Sequence, residues 1–142
     1  RKTTPPPCKA AARMQGVCPF QPARLSEPEV MVTLREAAPE AIVVVAYGIT
    51  SRVTREGIAL ARRQGVKVDH IRLIVAWPFP EKRTAELAKQ CKAIVVAEMN
   101  LGQMVYEVER VAKSDCIVVH EGRVDGEPVN PGQIIDKVKE VL

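Results

Sequence analysis

A chain of 142 residues is long enough to bury one core and too short for two well-formed domains. Its 46% apolar and 27% charged content, with valine and isoleucine gathered into short blocks, excludes a disordered chain, and no apolar run approaches the length that spans a bilayer. The formal charge is +4, but lysines and arginines are interleaved with acids and form no aromatic-flanked basic patch, which sets nucleic-acid binding aside.

The four cysteines, Cys8, Cys18, Cys91 and Cys116, contain no CxxC pair and have no histidine at ligand spacing. No metal or iron–sulfur site is therefore expected on this chain, and Cys91 and Cys116 read as reduced thiols of a cytoplasmic protein.

Residues 1–29 hold six of the eleven prolines. Proline at that density blocks helix and central strand alike, so the segment reads as a linker or extended arm. The opening "RKTTPPP" has neither the apolar core of a signal peptide nor the look of an expression tag, and suits a piece of a longer polypeptide. One domain is expected over 30–142.

In that domain "VMVTL" (Val30 to Leu34) reads as a short edge strand. "AIVVVAY" (Ala41 to Tyr47) reads as a strand buried on both faces, because its apolar run does not alternate. A helix follows from Arg52, with Val53, Ile58 and Ala61 on one stripe, Gly65 at its left-handed end and Arg62 and Arg63 against the negative end of its dipole. The unit then repeats: a strand over Lys67 to Trp77, a helix with Pro80 at its first position, and a strand over Lys92 to Glu98. A helix with Met104, Val108 and Val111 on one face comes next, then a strand over Asp115 to Glu121. The closing helix has Asn130 as cap and Pro131 just inside. Strands separated by helices imply βαβ crossovers and a mostly parallel sheet covered on both faces, a three-layer α/β/α domain.

The loops "YGITS", "WPFP" and "EMNLG" then leave the carboxyl edge of the sheet, where ligands of open α/β folds sit, and each precedes a helix whose free N–H groups could hold an anion. Neither GxGxxG nor GxxxxGK[ST] occurs, so no nucleotide cradle is expected. Ser51 has neither a GxSxG context nor an obvious base and reads as a helix cap. His70, inside a strand, and His120, at a strand end, read as partly buried histidines satisfied by a hydrogen bond. Trp77 and Phe79, held between prolines, are either a core plug or an interface anchor. Asn100 and Gln103 have capping-box spacing, repeated at Asn130 and Gln133. Glu98, without a marked titratable partner, reads as a carboxylate bonded to neighbouring N–H groups or to a contacting chain.

Taken in order, "VVVAYGITSRVTREGIALARRQGVKVDHIRLIVAWPFP" and "IVVAEMNLGQMVYEVERVA" closely resemble the C-terminal domain of the α subunit of 2-oxoacid:ferredoxin oxidoreductases, a domain shared with transketolase. The resemblance covers roughly 30–142 and rests on AYG, WPFP and EMNLGQ in that order. It implies a mixed five-stranded sheet whose first strand is antiparallel to the rest (transketolase C-terminal-like). It also implies membership of an enzyme that decarboxylates a 2-oxoacid with thiamine diphosphate, passes electrons through iron–sulfur clusters to ferredoxin and makes an acyl-coenzyme A. "EMNLGQ" is most similar to the 2-oxoglutarate enzyme, with the branched-chain 2-oxoacid enzyme next. The pyrophosphate motif GDG, which the family places on the β subunit, and the cluster cysteines are absent. The family's catalytic glutamate belongs to an N-terminal domain, so Glu98 does not inherit its role.

The resemblance thus implies no catalytic, cofactor-binding or metal residue on this chain. Thiamine diphosphate, magnesium and iron–sulfur clusters are expected on other domains or subunits, and the chain alone is expected to be inactive. The leading reading is an assembly domain that meets the β subunit and other subunits through Tyr47, Trp77, Phe79, Glu98, Asn100 and Gln103. The alternative is a free-standing small-molecule-binding α/β module that uses the carboxyl edge as a pocket.

Overall fold

The structure, a computed structural model, describes the backbone of residues 31–33 and the whole of residues 40–113 and 115–142. The expected proline-rich arm over 1–29, and the ends of the expected first strand at Val30 and Leu34, lie outside the described residues.

Among the described residues nine elements follow in order: β1 (Met31–Thr33), β2 (Ile42–Tyr47), α1 (Gly48–Arg63), β3 (Val68–Leu73), α2 (Glu81–Ala88), β4 (Ala93–Glu98), α3 (Gln103–Ala112), β5 (Ile117–Gly122) and α4 (Pro131–Glu140). The strands form one sheet in the order β1-β3-β2-β4-β5. β1 runs antiparallel to β3 and every other pairing is parallel, which is the mixed five-stranded sheet that the resemblance implies.

Two helices cover each face. Val43, Val45, Ile94 and Val96 pack under Leu87 of α2 and Met104, Val105 and Val108 of α3. Their sequence neighbours Ile42, Val44, Val95 and Ala97 pack on the opposite face under Ile58 and Ala61 of α1 and Ile134 and Val138 of α4. Alternate side chains of a strand point to opposite faces, so β2 and β4, covered on both, must be apolar throughout. Burial of each such valine or isoleucine contributes about 1.5–3 kcal/mol.

Several element ends differ from the sequence expectation. Helix α1 starts at Gly48, immediately after β2 and four residues before Arg52, and its buried stripe includes Thr50, Ser51, Thr54 and Gly57. Val53 is displaced to the margin. Gly57 fits because α1 packs closely on α4. Strand β3 stops at Leu73, where its pairing with β2 ends at Tyr47. The apolar run from Ile74 to Trp77 is therefore loop, with Ile74 and Trp77 exposed. Pro80 is the N-cap of α2, one position outside the helix. At α4 the expectation is met: Asn130 Oδ1 accepts from Gln133 N at 3.0 Å and Gln133 Oε1 accepts from Asn130 N at 3.0 Å, with Pro131 at the first position.

The contact between α1 and α4 gives a test. A Cβ on Gly57 would stand 2.9 Å from Ile134 Cβ and 3.0 Å from the carbonyl oxygen of Pro131. Gly57→Ala gains about 1 kcal/mol of helix propensity and loses about 1–3 kcal/mol to overpacking. The expected net effect is a loss of about 1 kcal/mol, read as a lower urea midpoint; a more stable variant would contradict so close a packing of the two helices.

Candidate functional site

At the carboxyl ends of β2, β4 and β5, on the face covered by α2 and α3, four side chains come together: Tyr47, Glu98, Asn100 and His120. Glu98 is the last residue of β4 and is fully buried. Its carboxylate accepts from Met104 N at 2.9 Å and Val105 N at 3.1 Å, the second and third residues of α3. A carboxylate so placed does what an N-cap side chain does, satisfying the helix's orphan donors while its charge opposes the positive end of the helix dipole. His120 Nε2 stands 3.4 Å from Glu98 Oε1 without the alignment of a hydrogen bond.

The expected capping box at this helix does not form. Helix α3 begins at Gln103, and its N-cap is Gly102 in a left-handed conformation with φ of 103°, open to glycine at no steric cost. Asn100 lies two residues farther out. Its Oδ1 accepts from Gly102 N at 2.8 Å and Gln103 N at 3.0 Å, which fixes the turn rather than the helix. Its Nδ2 donates to Tyr47 Oη at 2.7 Å. Burial raises the Tyr47 phenol above its ordinary range, with the Glu98 charge adding to the rise and the Asn100 bond opposing it.

Gly122 completes the corner. A Cβ there would stand 2.4 Å from His120 Cε1 and 2.9 Å from the carbonyl oxygen of Asn100, so the His120 ring lies directly over it. Trp77 and Phe79 separate: Phe79 is buried in the core beneath α2 and α3, whereas Trp77 is 70% exposed. The core-plug reading therefore fits Phe79 and not Trp77. Gln103 is exposed and contributes its backbone N–H to the turn.

Of the three helix starts expected to be open to an anion, that of α3 is already filled by Glu98, and α2 carries Glu81 in its first turn. Only α1 starts without an acidic residue in its first turn or a side-chain cap. Ser51 is not a cap: it lies inside α1, buried, with its Oγ 3.2 Å from His70 Nε2. Nineteen residues separate the two, and nothing in the sequence signals the pairing. Burial, followed by the charges of Arg55, Arg72 and Arg62, pushes the His70 imidazole down to about 4. His70 is thus neutral at pH 7 and too weak a base to activate the Ser51 hydroxyl, so the pair is structural. The hydrogen bond expected of His70 is the one to Ser51, with Nδ1 left without a partner among the described residues; at His120 the expectation is corrected, since its buried Nε2 makes no hydrogen bond among them.

No three His, Cys, Asp or Glu side chains come together to hold a metal among the described residues. No helix among them is long and apolar enough to cross a membrane. A cleft of about 970 Å³ lies at the opposite, amino end of the strands, lined by Gln64, Lys67, Lys89 and Cys91 among others.

A five-stranded α/β domain with one antiparallel edge strand, and a carboxyl edge closed by its own hydrogen bonds, is the class that the fold and this corner define. Residues 41–134 match the pyruvate:ferredoxin oxidoreductase core domain II, and the chain belongs to that family. The 2-oxoglutarate synthase subunit KorA of Methanothermobacter marburgensis is 39% identical over 97 residues, 68% of this chain and 26% of that protein. The ketoisovalerate oxidoreductase subunit VorB of Methanothermobacter thermautotrophicus is 35% identical over 119 residues, 84% of this chain and 34% of that protein. Among solved structures, the 2-oxoglutarate:ferredoxin oxidoreductase of Magnetococcus marinus superposes with a TM-score of 0.69 at 23% identity, covering 78% of this chain and 19% of that one. The chain thus spans about a quarter to a third of the length of these curated relatives.

Two predictions follow from the buried groups. Glu98→Gln keeps the shape but turns an amide NH₂ toward one of the two helix N–H groups, and is expected to cost about 2 kcal/mol in a denaturation curve; an unchanged midpoint would mean that the carboxylate does not hold the helix. For His70, the folded-state value lies below the ordinary 6.5, so the unfolded chain binds more protons and stability falls as pH drops from 6.5 to about 4. The loss attributable to His70 saturates at about 3 kcal/mol. It is measured as the difference in pH dependence between the wild type and His70→Gln, which should lack that part of the slope.

Proposed function

We propose that the chain is the assembly domain of a 2-oxoacid:ferredoxin oxidoreductase α subunit, part of a cytoplasmic enzyme that oxidatively decarboxylates 2-oxoglutarate to an acyl-coenzyme A and reduces ferredoxin. The catalytic centre, with thiamine diphosphate, magnesium and iron–sulfur clusters, belongs to other domains or subunits. The identity to a 2-oxoglutarate synthase subunit favours the substrate, and the match to a ketoisovalerate oxidoreductase subunit keeps the branched-chain 2-oxoacid as the competing one.

The observation that carries the assembly role is the character of the carboxyl edge. Its polar groups are turned inward on one another, while Ile49, Trp77, Leu101 and Tyr106, on the connections and first helical turns that leave the edge, are all more than half exposed. Large rigid side chains displayed together suit an interface core. Tyr47, Glu98 and Asn100 lie beneath that surface as its support, Gln103 lies at its rim, and Phe79 braces the loop that carries Trp77 from within.

The test is co-expression with a subunit that bears the GDG motif. Trp77→Ala and Leu101→Ala should reduce recovery of the complex by roughly tenfold each, the loss of an interface anchor worth about 1–2 kcal/mol, while the melting temperature of the isolated domain stays unchanged. Equal recovery, or unfolding of the Trp77→Ala domain, would overturn the assembly role. Ferredoxin reduction by the complete enzyme, compared between 2-oxoglutarate and 3-methyl-2-oxobutanoate, decides the substrate, and the isolated chain should reduce none. Saturable binding of thiamine diphosphate, coenzyme A or an adenine nucleotide that perturbs Tyr47 and Asn100 in the isolated chain would instead favour a free-standing binding module.

A further inference from the structure

On the other face of the sheet, a groove runs between α1 and the outer part of β3. Its wider portion, of about 620 Å³, is lined by Ser51, Arg52, Arg55 and Glu56 from α1 and by Arg72 from β3. A smaller notch farther along α1, of about 210 Å³, is lined by Arg55, Ile58, Ala59, Arg62 and His70. Arg55 belongs to both.

The charges here are not balanced. Arg62 is committed to Asp69, with an ion pair of 2.7 Å, and to the Val68 carbonyl. Arg52, Arg55 and Arg72 have no ion-paired carboxylate among the described residues, and Glu56 is the single acid among the described residues of the groove wall. Three free guanidiniums against one carboxylate leave two uncompensated positive charges, drawn together by the fold at a cost in mutual repulsion. Beneath them lies His70, 1% exposed, whose Nε2 faces Ser51 and whose Nδ1 has no partner among the described residues. The notch is lined by His70 but not by Ser51.

Guanidinium forks match the oxygens of phosphate two at a time, and a dianion cancels a doubly positive site. We propose that the groove between α1 and β3 binds a phosphate-bearing small molecule or free phosphate, held by Arg52, Arg55 and Arg72 over the buried His70. Arg55 joins the wide portion to the notch and is the central contact. The site faces away from the Glu98 corner, and does not depend on the assembly role.

The two histidines of the chain allow a direct test by nuclear magnetic resonance on the full chain. Titration with inorganic phosphate at constant ionic strength should shift the His70 ring signals saturably and leave those of His120 in place. It should also raise the His70 titration midpoint above its ligand-free value of about 4, because an anion offsets the arginine charges. Arg55→Gln should weaken the response roughly tenfold, equivalent to about 1.4 kcal/mol, and should by itself raise the midpoint. Arg63→Gln, on the same helix but outside the groove, should leave binding unchanged. Tighter binding of ADP than of phosphate would assign a phosphorylated small molecule, and equal binding free phosphate. No saturable shift, the same shift with sodium chloride, or equal weakening by Arg55→Gln and Arg63→Gln would overturn the proposal.

Discussion

The carboxylate of Glu98 fixes the end of a central strand to the start of a helix. A charge removed from water costs several kcal/mol unless hydrogen bonds replace its hydration. Here the replacement is the first turn of α3, with two backbone N–H groups and the positive end of the helix dipole. The bonds serve both partners, since Glu98 is fully buried and α3 is otherwise bonded at its start, among the described residues, only by Asn100 Oδ1 on its first N–H. With β4 and α3 so joined, the intervening residues must turn within four positions. Asn100 holds that turn by two N–H groups, Gly102 takes the left-handed conformation it needs, and the free amide of Asn100 reaches Tyr47 at the end of β2. The His120 ring is seated over Gly122 against the same corner.

The consequence for function lies in what this arrangement removes. In many open α/β sheets the carboxyl edge exposes helix N–H groups to a ligand; here the chain's own carboxylate occupies those of α3. Turning the polar groups inward leaves the connections to display apolar side chains, and it is on that display that the proposed assembly role rests. The arginine groove between α1 and β3 has the opposite character, with unpaired charge displayed and a neutral histidine beneath it.

Legibility in the sequence followed the range of the interaction. Strands β2 and β4 could be read from unbroken apolar runs, because burial on both faces leaves no position for a polar residue. The cap of α4 could be read because Asn130 and Gln133 meet within one turn. The same spacing at Asn100 and Gln103 gave only half a box: Asn100 Oδ1 accepts from Gln103 N, but the left-handed Gly102 delays the helix to Gln103, and its next N–H groups go to Glu98. Ile74 to Trp77 looked like strand by composition, but β2 ends opposite Leu73 and a strand without a neighbour has nothing to bond. The family motifs conveyed more than periodicity could, including the antiparallel first strand, because they carry the record of a whole fold.

The sequence by itself determined the elements, their alternation and the two-sided burial of the sheet's centre, all of which arise from the period of apolar side chains along the chain. Glu98 was readable as a carboxylate bonded to neighbouring N–H groups, which are those of Met104 and Val105, but only the tertiary structure decided that Ser51 meets His70. It alone parted Phe79, in the core, from Trp77, at the surface, and gathered Arg52, Arg55 and Arg72 along one groove. Those outcomes depend on which strands become neighbours and which helix lies over them, and pairings between residues distant in the chain leave no local pattern from which they could be read.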